Sequence, residues 1–437
     1  MGQAWLLLAA LLTAEGGPKP GRAPGPASAE GVSASSADEQ AAAQARAKGV
    51  QTKTIRGQTC WVIRSDEVEL AITKQGGNMA PVTFYRNSPR PVQPYYVSPW
   101  QEENLKFDEP VLRSLRGDFF CLPFGGNQEP VKGVKYPAHG ETAGQPWTLV
   151  GAERVGHRTR LTLSLKTTIP FGDSGRPAEV RKFLELEDGQ NVVYCRHVLS
   201  GYSSKAPLGH HATLAVPERE GSLRVATSPF VFGMTSPVLF SDPAQREYQS
   251  FAIGARFTDL QRVPLLWKEP CEADCTRLPA RTGFADLLAI FKRPGRPREP
   301  AWMAVTNQAE GYLWFSLKDP AVLPSTVFWI ENHGRHGPPW NGRNRCLGLE
   351  DVCAYFDRGI APSLRPNELS VAGIPTALDL PRDRPTVIRY IQGVVKVPAD
   401  FQTVQSVEFA PGRVTFVSVT GKRVATAVDH EFLWRGQ

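Results

Sequence analysis

The sequence predicts an all-β chain, a large sandwich or barrel, on three observations. Apolar and polar residues alternate with period two over most of the length, as in Leu161, Leu163 and Leu165 set between Arg160, Thr162, Ser164 and Lys166. Glycine (39) and proline (38) are frequent enough to favour many turns over long helices. No long stretch carries a convincing helical stripe.

The elements follow in order. Trp5 to Ala14 is an apolar run of signal-peptide length, too short for a stable membrane anchor, with cleavage expected after Ala14 or Ala29. Residues 1–48 are therefore read as signal peptide and Gly/Pro/Ala/Ser-rich linker, and the protein as exported to a periplasm or the outside. Residues 49–395 form the main β domain. Within it, Phe183–Leu186 and Asn191–Leu199 read as a hairpin around Asp188-Gly189. Residues 285–292, ADLLAIFK, suit a strand or a helix. Residues 396–437 hold three more short strands, Ser406–Phe409, Val414–Val419 and Arg423–Val428, with turns at Pro411-Gly412 and Thr420-Gly421, an extension of the same domain. The absence of a short repeat argues against a propeller or solenoid.

Charge narrows the partners. Lys and Arg number 50 against 43 acids, a formal +7 that is scattered rather than gathered into a stripe, so no nucleic-acid partner is expected. The densest basic run, Lys292 to Arg298, is broken by Pro and Gly and reads as a solvated turn. Of seven cysteines, Cys195 lies in an alternating strand and reads as a buried thiol, while Cys271 and Cys275 could bridge in an exported protein. Ligand spacing for zinc is lacking, and no cofactor or metal is expected.

Three segments carry polar and aromatic residues suited to a polyhydroxylated ring. The first is Leu115 to Asn127, where Gly and Pro force a loop around Arg116 and Asp118, followed by His139-Gly140-Glu141 and Trp147. A buried Arg116 needs an acceptor, either a ligand hydroxyl or Asp118. The second is Gly209-His210-His211 before an apolar run; neighbours in a strand face opposite ways, so one His faces a cleft. The third runs from Trp329 to Phe356, with Trp340, Arg343, Arg345 and Gly348-Leu349-Glu350. Glu350, partly buried, would have its pKa raised as a general base requires, with Asp351 as the solvent-facing acid; Arg343 and Arg345 would orient Glu350 or bind a substrate anion. These residues name a sugar or oligosaccharide as the expected ligand.

The order of these segments, Arg116-Gly117, His139-Gly140 with Trp147, His211 opening a strand, and Gly-Leu-Glu ending at Glu350, resembles the galactose mutarotase (aldose 1-epimerase) superfamily over roughly residues 55 to 395. Arg-Gly-Asp-Phe, His-Gly-Glu and His-Ala-Thr-Leu stand where galactose mutarotase has Gly-Arg…Asn-Arg, His-Gly-Gly and His-Tyr-Phe-Asn, so the likeness is to divergent branches. The resemblance implies a β-supersandwich and a metal-free ring opening. Glu350 would take the anomeric proton and His211 would protonate the ring oxygen. His139 and Arg116 would hold hydroxyls, Trp147 or Trp340 would stack on the sugar, and His210 would replace His211 in a register shifted by one. A non-catalytic carbohydrate-binding protein stands as the alternative. A polysaccharide lyase or hydrolase is another; a hydrolase needs a second carboxylate, for which Asp118, Glu141, Asp286 and Glu331 are candidates.

Overall fold

The computed structural model describes residues 50–168, 178–279 and 281–436. The expected leader and linker lie outside them. Two large antiparallel sheets stack face to face, as the alternating strands predict. One has eight strands, in the order Arg256–Phe257, Phe232–Thr235, Phe284–Phe291, Ser325–Asn332, Arg345–Cys353, Leu208–His210 and Phe120–Cys121, with Ala212–Ala215 also paired to Arg345–Cys353. The other has nine, and its centre is Ala301–Asn307, Tyr312–Lys318, Thr386–Lys396 and Val192–Ser200. A four-stranded meander, residues 51–83, precedes them. The ambiguous stretch is the strand Phe284–Phe291, buried on both faces, and the described helices are single turns such as Glu141–Gly144 and Ile360–Leu364. The Asp-Gly hairpin joins Ala178–Glu187 to Val192–Ser200, with Gly189 at φ +73°, a conformation only glycine adopts freely.

Alternation sorts the side chains into layers. Leu288, Ile290, Phe328, Ile330, Leu347 and Leu349 from the eight-stranded sheet meet Met303, Val305, Trp314 and Tyr390 from the nine-stranded one. Their neighbours Leu287, Val327, Trp329 and Cys346 point the other way, onto a face covered by loops that carry Trp100, Phe119, Phe124 and Phe356. Val404–Ala410, Arg413–Ser418 and Arg423–Ala427 form a separate three-stranded sheet. It joins neither large sheet edge to edge. Its Phe416, with Phe401, Phe432 and Trp434, packs over Trp302, Leu313, Phe315 and Ile391 on the outer face of the nine-stranded sheet.

Two charges expected in solvent lie inside, because period two alone does not say which face is wet. Of the run Lys292 to Arg298, the residues from Arg293 on are exposed as expected, but Lys292, directly after a buried strand, is buried; its ammonium donates to the Thr227 and Ser228 hydroxyls and to the Ser228 and Trp302 carbonyls. Asp351 is fully buried between the sheets rather than solvent-facing, with Lys318 Nζ 2.5 Å from it. All seven cysteines are free thiols; Cys271 is exposed while Cys275 faces the core, so they do not bridge.

Candidate functional site

The site is built on the strand Arg345–Cys353, at a break in its neighbour. Leu208–His210 and Ala212–Ala215 both pair with it, Gly209 opposite Val352 and Ala212 opposite Leu349. This register carries His211 opposite Glu350 on the loop-covered face and His210 opposite Asp351 on the inner face. His211 Nε2 lies 3.1 Å from Glu350 Oε1, and its Nδ1 lies 3.1 Å from Thr213 Oγ1. Phe119 stacks on the His211 ring at 4.5 Å, and His139 and Trp329 meet it edge-on at 5.0 and 5.9 Å. Gly348 makes room: a Cβ there would stand 2.8 Å from Glu350 Oε1 and 3.0 Å from Trp329 Cβ.

Burial sets the electrostatics. Burial, then the neighbouring Asp357 carboxylate, pushes Glu350 well above the usual carboxylate range. Burial, then the nearby His139, holds His211 well below the ordinary imidazole value. Both shifts favour the neutral forms, in which the carboxyl donates to Nε2 and Nδ1–H faces the Thr213 hydroxyl. His139, at φ +58°, is pushed down to about 4 by burial. Asp357 is raised by burial against the pull of Arg358. Beyond Trp329, the Arg335 guanidinium lies 5.1 Å over Trp340 and 5.8 Å over Trp329, and 3.7 Å from both Glu331 and Glu247. Burial raises Glu331 to about 7, with Arg335 opposing.

The structure thus brings together His211, Glu350, His139 and, through Trp329 at 5.9 Å, Trp340. It does not bring the other four candidates there. His210 is turned between the sheets, its Nδ1 2.9 Å from Asp118 and its ring stacked on Tyr390 at 4.2 Å, so it does not replace His211. Arg116 spends its guanidinium on the Ile55 and Arg56 carbonyls and Gln101 Oε1, anchoring the N-terminal meander. Trp147 is a core residue whose indole donates to the Thr142 carbonyl beneath the Lys182 ammonium. Arg345 turns to the Val216 carbonyl and Glu218, and Arg343 pairs with Glu103, so neither orients Glu350. Of the extra carboxylates, Asp286 is bonded to Ser250 and Glu141 to Thr168, and only Glu331 borders the cluster. Asp357 and Arg335 were not singled out from sequence. Arg335 lies inside the Trp329 to Phe356 segment, whose density of Trp, His and Arg was the available signal; Asp357, one residue past it, had none.

Among the described residues, no group of three or more His, Cys, Asp or Glu side chains is arranged to hold a metal ion. No helix among them is long and apolar enough to cross a membrane.

No protein-family model and no curated protein matches the sequence. Solved structures do. A candidate aldose 1-epimerase from Klebsiella pneumoniae aligns with TM-score 0.54 at 13% identity, over 79% of this chain and 81% of that one. A galactose mutarotase-like protein from Clostridium acetobutylicum aligns with TM-score 0.52 at 11% identity, over 80% and 98%. A candidate mutarotase from Salmonella typhimurium gives 0.51 at 10%, over 80% and 94%. The chain is an all-β protein of the sandwich class. More narrowly, it has the galactose mutarotase-like fold, in a form far diverged in sequence; at these identities the likeness speaks to fold alone.

Proposed function

We propose that the protein acts on a sugar as an aldose 1-epimerase-type mutarotase, interconverting anomers by acid/base ring opening. The observation that carries this is the His211–Glu350 contact of 3.1 Å on the loop-covered face, bordered by Trp329 and Trp340. The anomeric hydroxyl and the ring oxygen share one carbon, so two groups this close can address both. In the ion-pair form of the pair, Glu350 takes the proton from the anomeric hydroxyl while His211 Nε2–H gives one to the ring oxygen. The C1–O5 bond breaks, an open-chain aldehyde forms, C1–C2 rotates, and the reverse transfers reclose the ring on the other face. The proton inventory of the pair is unchanged at the end, and no metal takes part. Trp340, part-exposed, offers a flat surface for a sugar face.

A second reading, a carbohydrate-binding protein without catalysis, is favoured by one observation: both side chains are nearly sealed, at 5% and 3% exposure. Polarimetry separates the two. The full chain is screened by thermal stability against mono- and oligosaccharides, and any stabilising sugar is then followed from one anomer. The mutarotase reading expects accelerated interconversion that falls about 100-fold or more in Glu350→Gln while the sugar still binds. Binding without acceleration moves the assignment to the second reading, and a full-speed Glu350→Gln removes Glu350 as the base. We also propose export, on the apolar run Trp5 to Ala14; N-terminal sequencing of the secreted chain should begin after Ala14 or Ala29.

A further inference from the structure

The loop that carries Asp357 is tied to the loop that carries His139. The Asp357 carbonyl accepts from Gly126 N–H, and the His139 N–H donates to the Gly125 carbonyl. Asp357 is thereby held beside the His139–His211–Glu350 row. Three polar atoms here are buried and have no hydrogen-bond partner: Asp357 Oδ1, His139 Nδ1 and the indole N–H of Trp329, a residue 94% buried. Buried polar atoms in folded proteins are bonded in the great majority of cases, so these three call for groups from outside the chain. The groups nearby are mainly acids. The Asp357 carboxylate lies close enough to Glu350 to oppose its ionisation, and Glu331, raised to about 7 by burial, stands on the same face of the sheet. Arg335 is already within 3.7 Å of Glu331 and Glu247, and Arg358, more than Arg335, pulls on Asp357 without a hydrogen bond to its Oδ1.

Resting on the mutarotase-type reading, we infer that the ligand is a positively charged sugar, a 2-amino-2-deoxy sugar with a free ammonium, selected by Asp357. Glu350 and His211 address the two oxygens on C1. C2 is bonded to C1, so a carboxylate beside that pair is within reach of the substituent on C2. An ammonium there donates to the unpartnered Asp357 Oδ1 and gives it a charge partner, while Trp329 N–H meets a neighbouring hydroxyl oxygen. A uronic acid or a sugar phosphate would set a negative charge against the Asp357 carboxylate instead.

The test titrates the thermal stability of the full chain with glucosamine, glucose, N-acetylglucosamine and glucuronate, and with their galacto counterparts, since the ring stereochemistry at C4 is unassigned. A charge-assisted bond predicts half-stabilisation by the amino sugar at about tenfold lower concentration than by its neutral parent. The N-acetyl sugar should lose that advantage, and the uronate should not stabilise. Asp357→Asn should bring the amino and neutral sugars to the same concentration. The order of sugars on the unaltered chain is a test that no folding defect can mask. Equal or better stabilisation by the neutral, N-acetyl or anionic sugar overturns the inference and leaves the mutarotase reading standing. No shift with any sugar removes both.

Discussion

The strand Arg345–Cys353 and the chain facing it place two like pairs of neighbours in opposite environments. Glu350 and Asp351 are consecutive, as are His210 and His211, and the pleat sends one of each to either face. Between the sheets, Asp351 meets Lys318 at 2.5 Å and accepts from the hydroxyls of Ser316, Thr326 and Tyr390; although burial opposes it, these partners hold its pKa below the usual range. His210 is fixed by Asp118 and Tyr390. On the loop-covered face Glu350 has His211 and no cation within bonding distance, and its pKa goes up. Equal burial therefore yields opposite results. The number of partners decides whether a buried carboxylate is a fixed charge that ties two sheets or a group free to exchange a proton.

The largest expected effect breaks the inner side. Lys318→Met leaves Asp351 as a buried charge without its cation and should cost about 3–5 kcal/mol in urea unfolding. Glu350→Gln, on the other face, should shift the same curve by about 1 kcal/mol or less, because no ion pair is broken. Similar losses in both variants would show that the two faces do not differ as described.

Next in size is a contrast in pH response. Glu331 has a folded value of about 7 against an ordinary 4.5. Its raised value means that its stabilisation is complete below pH 4.5 and is lost as pH rises to about 7, at about 1.4 kcal/mol per pH unit. Asp351 runs the other way: its lowered value gives stabilisation above its ordinary 3.8 that is lost as pH falls below it. His139, at about 4 against 6.5, also loses stabilisation on acidification, between those values. The difference between native and Glu331→Gln unfolding free energies isolates the first term. It should fall steadily from pH 4.5 to 7, and a flat difference curve would show Glu331 to ionise normally.

This contrast also explains how far the sequence could be read. Period two and the turn residues revealed the sandwich, the Asp188-Gly189 hairpin and the three C-terminal strands, because those signals are local. Alternation likewise showed that His210 and His211 part company. Which one joins Glu350 depends on the break between Leu208–His210 and Ala212–Ala215, a register across about 140 residues that no local pattern holds. Lys182, Lys292 and Lys318 look like wet positions in sequence, yet each is buried and bonded to carbonyls or hydroxyls of another strand or loop. Arg116 and Trp147 carried the right chemistry for a sugar site, but tertiary partners consume it. Asp357 is made relevant only by its loop's attachment to Gly126.

The smallest expected change in stability carries the sharpest information about the outer face. Gly348 has an ordinary strand conformation, so alanine meets no backbone strain there, and strand propensity favours alanine by about 0.5–1 kcal/mol. The added methyl would stand 2.8 Å from Glu350 Oε1, the atom that contacts His211, and 3.0 Å from the Cβ of Trp329. The carboxylate is the far end of a flexible side chain, whereas the Trp329 Cβ is fixed to its strand. The inexpensive adjustment is for Glu350 to swing away from His211. Gly348→Ala should therefore leave the urea midpoint within about 1 kcal/mol of native, offsetting propensity against a small repacking cost, while anomer interconversion falls about as far as in Glu350→Gln. A loss of several kcal/mol would mean that Trp329 and its strand had moved instead. Native stability with undiminished interconversion would show that the His211–Glu350 contact is not what turns the sugar over.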